Sequence, residues 1–479
     1  MKSITVLSLT LAISCATFAQ NAEKKKLISS LDAKSAAYSK ISKDIWGYAE
    51  MGYQEEKSSA LLQTQLEQAG FKIEKGVAGI PTAFVASYGS GKPVIAILAE
   101  YDALPGLSQT ENPMQESAGG KAGHGCGHNL FGTASVAAAI AVKDWMAQSG
   151  GKGTLKIMGC PAEEGGSGKV YMVRAGLFDG VDGTLHWHPG NSNSASIAPW
   201  LANKSAKFRF KGIAAHASAS PEKGRSALDA VEAMDNMVNM MREHIPSDTR
   251  IHYVITRGGE APNVVPAFAE VYYYVRNPEM QVVKDVWERL VKAAEGAALG
   301  TGTKMEYEVI GGTYNMLANV ALSTVMDKNM RLVGGFSYTT EEQAFAEKIQ
   351  TTFQGGKGPS LATTANVEPF TVELTSSTGG ASSDVGDVSW ATPTAGVFTA
   401  TFVPGSSGHS WQNVAAAGTS IGTKGMMIAA KTIALSAYDL FKTPEMLKAA
   451  TKEFNERKGA DFKYEAMLGD RKPALDYRK

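Results

Sequence analysis

Four apolar runs, each stopping abruptly in acids, histidines or glycines, constrain this chain more than any other feature: "PVIAILAEYDALPG", "TLKIMGCPAEEGG", "GVDGTLHWHPG" and "TAGVFTATFVPGSSGHS". A continuous apolar run of strand length is the pattern of a strand buried on both faces, as in a parallel sheet covered by helices. Helical spacing of apolar positions recurs around them, from about Glu23 to Trp46, from Ser58 to Ala69 and through "TASVAAAIAVKDWMAQ". Alternating strand and helix predicts an α/β domain, whose ligands gather beyond the carboxyl ends of the strands. The acids and histidines fall there.

A different texture runs from about Ala202 to Gly312. "SAKFRFKG", "IHYVITRGG", "FAEVYYYVR" and "KMEYEVIGG" alternate as half-exposed strands, while "SALDAVEAMDNMVNMMREH" and "VVKDVWERLVKAAEGAALG" are amphipathic helices. Strand-helix-strand-strand-helix-strand is the order of a ferredoxin-like α+β unit. It interrupts the α/β domain, which resumes near Thr313. The expected organisation is a leader over 1–19, a catalytic domain in two parts over 20–201 and 313–479, and the inserted unit over 202–312. From "NVAAAGTS" onward the chain reads as largely helical, and the terminal "GDRKPALDYRK" as loosely held.

With 479 residues the chain is long enough for two or more cores. Lys plus Arg and Asp plus Glu are 47 each, a balance that argues against a nucleic-acid partner. The opening "MKSITVLSLTLAISCATFAQ" has a charged start, an apolar stretch and a small-residue cleavage site before Gln20, the layout of a secretory signal. An exported protein is expected, periplasmic in a Gram-negative source; a lipid anchor on Cys15 fits "LAISC" poorly. No later apolar run reads as long enough to span a bilayer. Two cysteines then remain, Cys126 and Cys160. Export invites a disulfide between them, whereas the setting of Cys126 points to a ligand.

That setting is "KAGHGCGHNLFG", where His124, Cys126 and His128 fall within five residues and are separated by glycines. Glycine-spaced donors let a backbone close around a metal ion. "PAEEGG" adds the adjacent Glu163 and Glu164 at a strand-to-loop junction, where one carboxylate can bind metal and the other accept a proton from water. "LHWHPG" places His186 and His188 on one face of a strand, either being a candidate ligand. His409 in "GSSGHS" follows another strand. Cys126, His128, Glu164, one of the two histidines and His409 make five donors at strand ends, a set that suits two metal ions.

"AEYDALPG", "GHGCGHN", "PAEEGG", "WHPG", "GIAAHASASPEKGRSALDA", "EAPNVVPAFAEVYYYVR", "SSDVGDVSW" and "GSSGHS" occur here in the order and spacing of a known family. Across nearly its whole mature length the chain resembles the aminoacylase and carboxypeptidase family of two-metal amidohydrolases, in particular the branch of p-aminobenzoyl-glutamate, hippurate and auxin-conjugate hydrolases. The resemblance implies a mixed sheet flanked by helices, in the manner of zinc exopeptidases, with an inserted lid and dimerisation domain. It implies Cys126, His128, Glu164 and His409 as ligands, His188 as the fifth with His186 as the alternative, and Glu163 as general base. Asp102 would orient a ligand without binding metal. Many members carry a histidine ligand two residues before that aspartate; here Glu100 stands instead, a loss offset where a cysteine enters the ligand set. Asp384 and Asp387 also fit the branch without an assigned role. His216 would reach a neighbouring subunit's site and steady the oxyanion, and Asn263 and Arg276 would hold substrate, Arg276 by forking onto a carboxylate.

The implied reaction is hydrolysis of an N-acyl or N-aroyl amino acid to an acid and a free amino acid. Glu163 takes a proton from the attacking water and returns it to the leaving amine, with two divalent cations (zinc or manganese) and His216 stabilising the oxyanion. The implied partners are a small-molecule acyl amino acid and a second copy of the chain bound through the lid, or a related second subunit. A dipeptidase or carboxypeptidase is a close alternative, and a non-catalytic binding subunit another, against which the completeness of the site argues. "EEGGSGKV" looks like a phosphate loop but lacks its first glycine, and Val170 replaces the magnesium-binding hydroxyl. No G-x-S-x-G elbow supports a serine nucleophile.

Overall fold

The computed structural model describes residues 22–355, 358–374 and 380–479. The expected leader and its cleavage point lie outside them. Strands β1 (Lys72–Lys75), β2 (Phe84–Ser90), β3 (Val94–Glu100), a short pair β4 (Leu104–Pro105) and β5 (Ala122–Gly123), then β6 (Gly153–Cys160) and β7 (Gly183–Gly190) precede the insertion. Strands β8 (Ala202–Lys211), β9 (Arg250–Arg257), β10 (Phe268–Asn277) and β11 (Lys304–Thr313) form it, and β12 (Thr394–Ala400) comes after it.

The main sheet runs β1-β2-β6-β3-β7-β12. Strands β6, β3, β7 and β12 are mutually parallel, while β1 and β2 add an antiparallel edge, so the sheet is mixed. The four apolar runs that stand out in the sequence supply the parallel strands. Ile95, Ala96, Ile97, Leu98 and Ala99 of β3 are all fully buried, as two-sided coverage requires. The helix His128–Ser149 packs on β3, β6 and β7, and the helix Ser420–Lys442 on β7, β12 and that first helix.

Contrary to expectation, His128–Ser149 has the length and apolar character of a bilayer-crossing segment. Most of it is buried inside the fold, which accounts for the apolar character on all sides. The first helical stretch divides at Lys34 into a helix over 22–33 and Ser35–Tyr48.

The inserted unit has its own sheet, β11-β8-β10-β9, antiparallel throughout. Helices Ala227–Met241 and Met280–Thr301 cover one side of it. Val283, Val286, Trp287, Leu290, Ala294 and Ala297 form the buried stripe of the second, at the three- and four-residue spacing of a helical face. Ser226 caps the first by accepting from Asp229 N. A separate apolar core built on Phe208, Phe210, Met234, Val271 and Trp287 holds the unit together. Edge strand β9 is mostly exposed, with Tyr253, Val254 and Ile255 open to solvent.

The terminal stretch is not loosely held. Beyond the helix Pro444–Lys458 the chain is irregular but anchored. Met467 enters the core of the inserted unit and Leu468 that of the main domain, while Arg471 donates to the Ile310 carbonyl. High local charge hides these few anchors from a reading based on composition.

Candidate metal centre

Glu164, His188 and His409 arrive at or beyond the carboxyl ends of parallel strands; Cys126 and His128, also expected at a strand end, instead sit where the glycine loop opens the helix His128–Ser149. Glu100 ends β3 and Asp102 follows it two residues on, Glu163 and Glu164 come just after β6, His186 and His188 lie in β7, and His409 lies in the loop after β12. The glycine loop then turns into the helix His128–Ser149. Gly127 has φ +74°, and a side chain there would strike Pro189 and Phe402, so the loop can turn this tightly only without one.

The geometry brings five of the expected donors together. Ligand atoms of Cys126, His128 and His188 lie within 4.8 Å of one another, and so do those of Cys126, Glu164 and His409. Cys126 belongs to both groups, its Sγ lying 3.4 Å from His188 Nε2. His409 Nε2 is 3.4 Å from Glu164 Oε1, a buried oxygen that accepts no hydrogen bond. Glu163 joins His128 and Glu164 in a third group of the same width. Cys126 and Cys160 are both free thiols, so the disulfide alternative does not occur.

His186 stands apart from these groups. Its ring packs 5.7 Å from Trp200 and fills the space over Gly396 in β12. His124 Nε2 donates to the Ile45 carbonyl, 3.1 Å away, and is likewise no part of the cluster. Burial lowers both rings to about 3, so they are neutral.

Behind the donors lies a shell of buried charge. Asp102 Oδ1 is 2.9 Å from His128 Nδ1, and its Oδ2 accepts from Glu164 N at 2.9 Å. One carboxylate therefore sets the tautomer of one candidate ligand and the backbone of another. His128 Nε2 lies 3.1 Å from Glu100 Oε2 but not in hydrogen-bond alignment. Glu100 Oε1 meets Lys169 Nζ at 2.6 Å, and Lys169 meets Asp384 Oδ1 at 2.6 Å. Lys169 is fully buried in this triad, which is why "EEGGSGKV" is no phosphate loop. Glu55, which no motif in the sequence marks, pins the next turn by accepting from Ala162 N at 2.8 Å and Thr82 Oγ1 at 2.9 Å. Asp387 accepts from Tyr314 N and from the Tyr464 hydroxyl, and burial raises it to about 7.

The electrostatics favour a cation. Burial, and then the charge of Glu164, push the Cys126 thiol up. Burial, reinforced by Glu164, Glu100 and Asp384, raises Glu163 well above the usual carboxylate range. Burial and then His128 bring His188 down to about 3, leaving a neutral ring able to ligate. For His128 burial opposes the charge, but Cys126, Asp102 and Glu100 outweigh it. A thiol and carboxylates crowded this closely ionise together only beside positive charge, and soft sulfur with imidazole and carboxylate suits a divalent transition metal.

A cavity of about 780 Å³ opens on this cluster, walled by Trp200, Tyr274, Phe398 and Phe402 and reached by Arg276 from β10. Arg276 Nε is buried without a hydrogen bond. His216 and Asn263 are not among the lining residues. They sit together on the surface of the inserted unit, where Ala217 N donates to the Asn263 carbonyl at 3.0 Å.

Residues 202–301 match the M20 peptidase dimerisation domain. The chain is 44% identical over 449 residues to one of the subunits of p-aminobenzoyl-glutamate hydrolase from Escherichia coli K12, covering 89% of this chain and 93% of that protein. Among solved structures, an M20-family dinuclear metal-binding peptidase of Bacillus subtilis aligns with a TM-score of 0.58 at 18% identity, covering 86% of this chain and 99% of that one. The aminobenzoyl-glutamate utilization protein of Klebsiella pneumoniae also aligns at 0.58 and 18%, over 86% and 98%.

Proposed function

Because the chain belongs to the M20 family of metal-dependent amidohydrolases and peptidases, we propose that it hydrolyses the amide bond of N-acyl or N-aroyl amino acids of the p-aminobenzoyl-glutamate type, using two divalent cations, zinc or manganese. The observation that carries this reading is Cys126 standing in two donor groups at once, with Glu163 beside them at the floor of a cavity. On this reading Cys126, His128 and His188 hold one ion, and Cys126, Glu164 and His409 the other. When bound, such ions lend Lewis acidity to the amide carbonyl and to a water. Glu163 takes the proton of that water and returns it to the leaving nitrogen. Trp200, Phe398 and Phe402 offer flat apolar surface for an aroyl group, and Arg276 a planar fork for a carboxylate.

His216 and Asn263 then act across a dimer, each protomer's inserted unit serving the other's cavity. The exposed apolar edge of β9 is the surface that such pairing would cover. A related second subunit is the alternative occupant.

Two measurements test the proposal. Purified, metal-loaded protein should release free amino acid from a panel of benzoyl-, p-aminobenzoyl- and acetyl-amino acids; a loaded protein that turns over none of them ends the reading. Cys126→Ser should lose both cations on dialysis and His188→Ala about one, while His186→Ala keeps both. Metal counting reads this directly, and a His188→Ala protein that keeps its full complement would move the ligand elsewhere.

A further inference from the structure

The cavity holds a second guanidinium that the reaction as derived does not use. Arg478, in the anchored stretch after Gly469, lines it beside Glu163 and Glu164. Its Nη2 donates to the Glu164 carbonyl at 3.1 Å, a bond that occupies only one of the five N–H donors of the side chain. The plane is steadied by the Tyr477 ring, 4.9 Å away.

Tyr477 is itself bolted down. Its hydroxyl donates to the same Glu164 carbonyl at 3.0 Å, and its ring meets Tyr53 edge-on at 5.6 Å. The slot exists because Gly52 has no side chain: a Cβ there would collide with the Tyr477 hydroxyl. Gln54 Nε2 donates to the Leu475 carbonyl at 2.8 Å and closes the other end. A long, flexible side chain is thereby held in place before any ligand arrives, which removes much of the entropic cost of using it.

We propose that Arg478 is a specificity-determining residue, binding a carboxylate on the side chain of the substrate's amino-acid part while Arg276 takes the α-carboxylate. This rests on the amidohydrolase reading. A guanidinium fixed through one nitrogen still presents a fork for a carboxylate, and the two arginines make one cavity a receptor for two anionic groups.

The test compares N-aroyl-glutamate with N-aroyl-glutamine, which differ only in the side-chain charge. Arg478→Met should lower kcat/KM for the glutamate substrate about 10–100-fold more than for the glutamine one, the range expected for losing a hydrogen bond to a charged group. Arg478→Lys should recover part of the difference. Tyr477→Phe keeps the guanidinium and loosens its mount, and should lower the glutamate substrate more than the glutamine one, by less than Arg478→Met does. Equal losses on both substrates in Arg478→Met, or none, overturn the proposal. Calorimetry with free glutamate and glutamine on metal-loaded protein repeats the comparison without turnover. If wild type cleaves neither substrate the reaction is wrong, and Arg478 is then judged by binding alone: selective loss of glutamate affinity in Arg478→Met supports it, and unchanged affinity overturns it.

Discussion

Glu163→Gln is expected to lower kcat by about 10³-fold while the protein keeps its full metal complement, the loss typical of removing a general acid–base. Glu163 comes just after β6 with its backbone set by the Ala162 turn, φ +57°, and by Glu55 on the Ala162 amide. Its carboxylate makes no hydrogen bond with the described residues and faces the cavity, so glutamine can take its place without stranding a partner. The group must be ionised to accept a proton, so kcat/KM in wild type should fall as pH falls through its pKa. That acid limb should be missing from the residual activity of the variant. Glu163 also lies within ligand distance of His128 and Glu164, and metal counting separates the two roles. Metal lost together with activity would make Glu163 a ligand; activity retained would remove it from the reaction.

Lys169→Met should destabilise the fold by about 3–5 kcal/mol, the usual consequence of removing one partner from a buried ionic cluster. Lys169, Glu100 and Asp384 are all buried, and Lys169 meets each acid at 2.6 Å. Burial opposes the ammonium charge, but Asp384 and Glu100 outweigh it and hold Lys169 well above its ordinary range. A raised folded-state value means that its stabilisation is complete below the unfolded value and is lost only as pH rises through the folded one. In the variant the stranded carboxylates are driven upward instead, so the deficit should shrink as pH falls from neutrality toward about 4, the ordinary carboxylate value. Denaturant melts across that range check both claims. Adding Glu100→Gln should recover part of the loss, and a Lys169→Met protein with a wild-type midpoint at neutral pH would show that the triad carries no net stability.

The layout of the site is legible in the sequence because parallel strands buried on both faces leave an unmistakable apolar signature, and the residues just beyond each strand must gather at one edge. "PAEEGG", "WHPG" and "GSSGHS" can be placed together on that ground alone, whereas "GHGCGHN" opens the helix His128–Ser149 and is brought to them by its packing on β3, β6 and β7. The choice between His186 and His188 cannot, since both share a face of β7. Packing separates them: His188 reaches Cys126, whereas His186 is wedged over Gly396 against Trp200. Lys169 escapes notice because its neighbours mimic a phosphate loop, and its acids come from β3 and from residue 384, far off in sequence. Glu55, Tyr477 and Arg478 carry no motif at all.

Local pattern, then, determined the strands, the inserted four-stranded unit and the set of residues at the strand ends, because periodicity and glycine placement act over a few neighbouring positions. Only the folded chain decided which histidine faces the cysteine, what neutralises Glu100, and that the stretch after Gly469 folds back to put Arg478 in the cavity. Those outcomes depend on distance and burial between segments from 62 to 314 residues apart, and no short-range rule contains them.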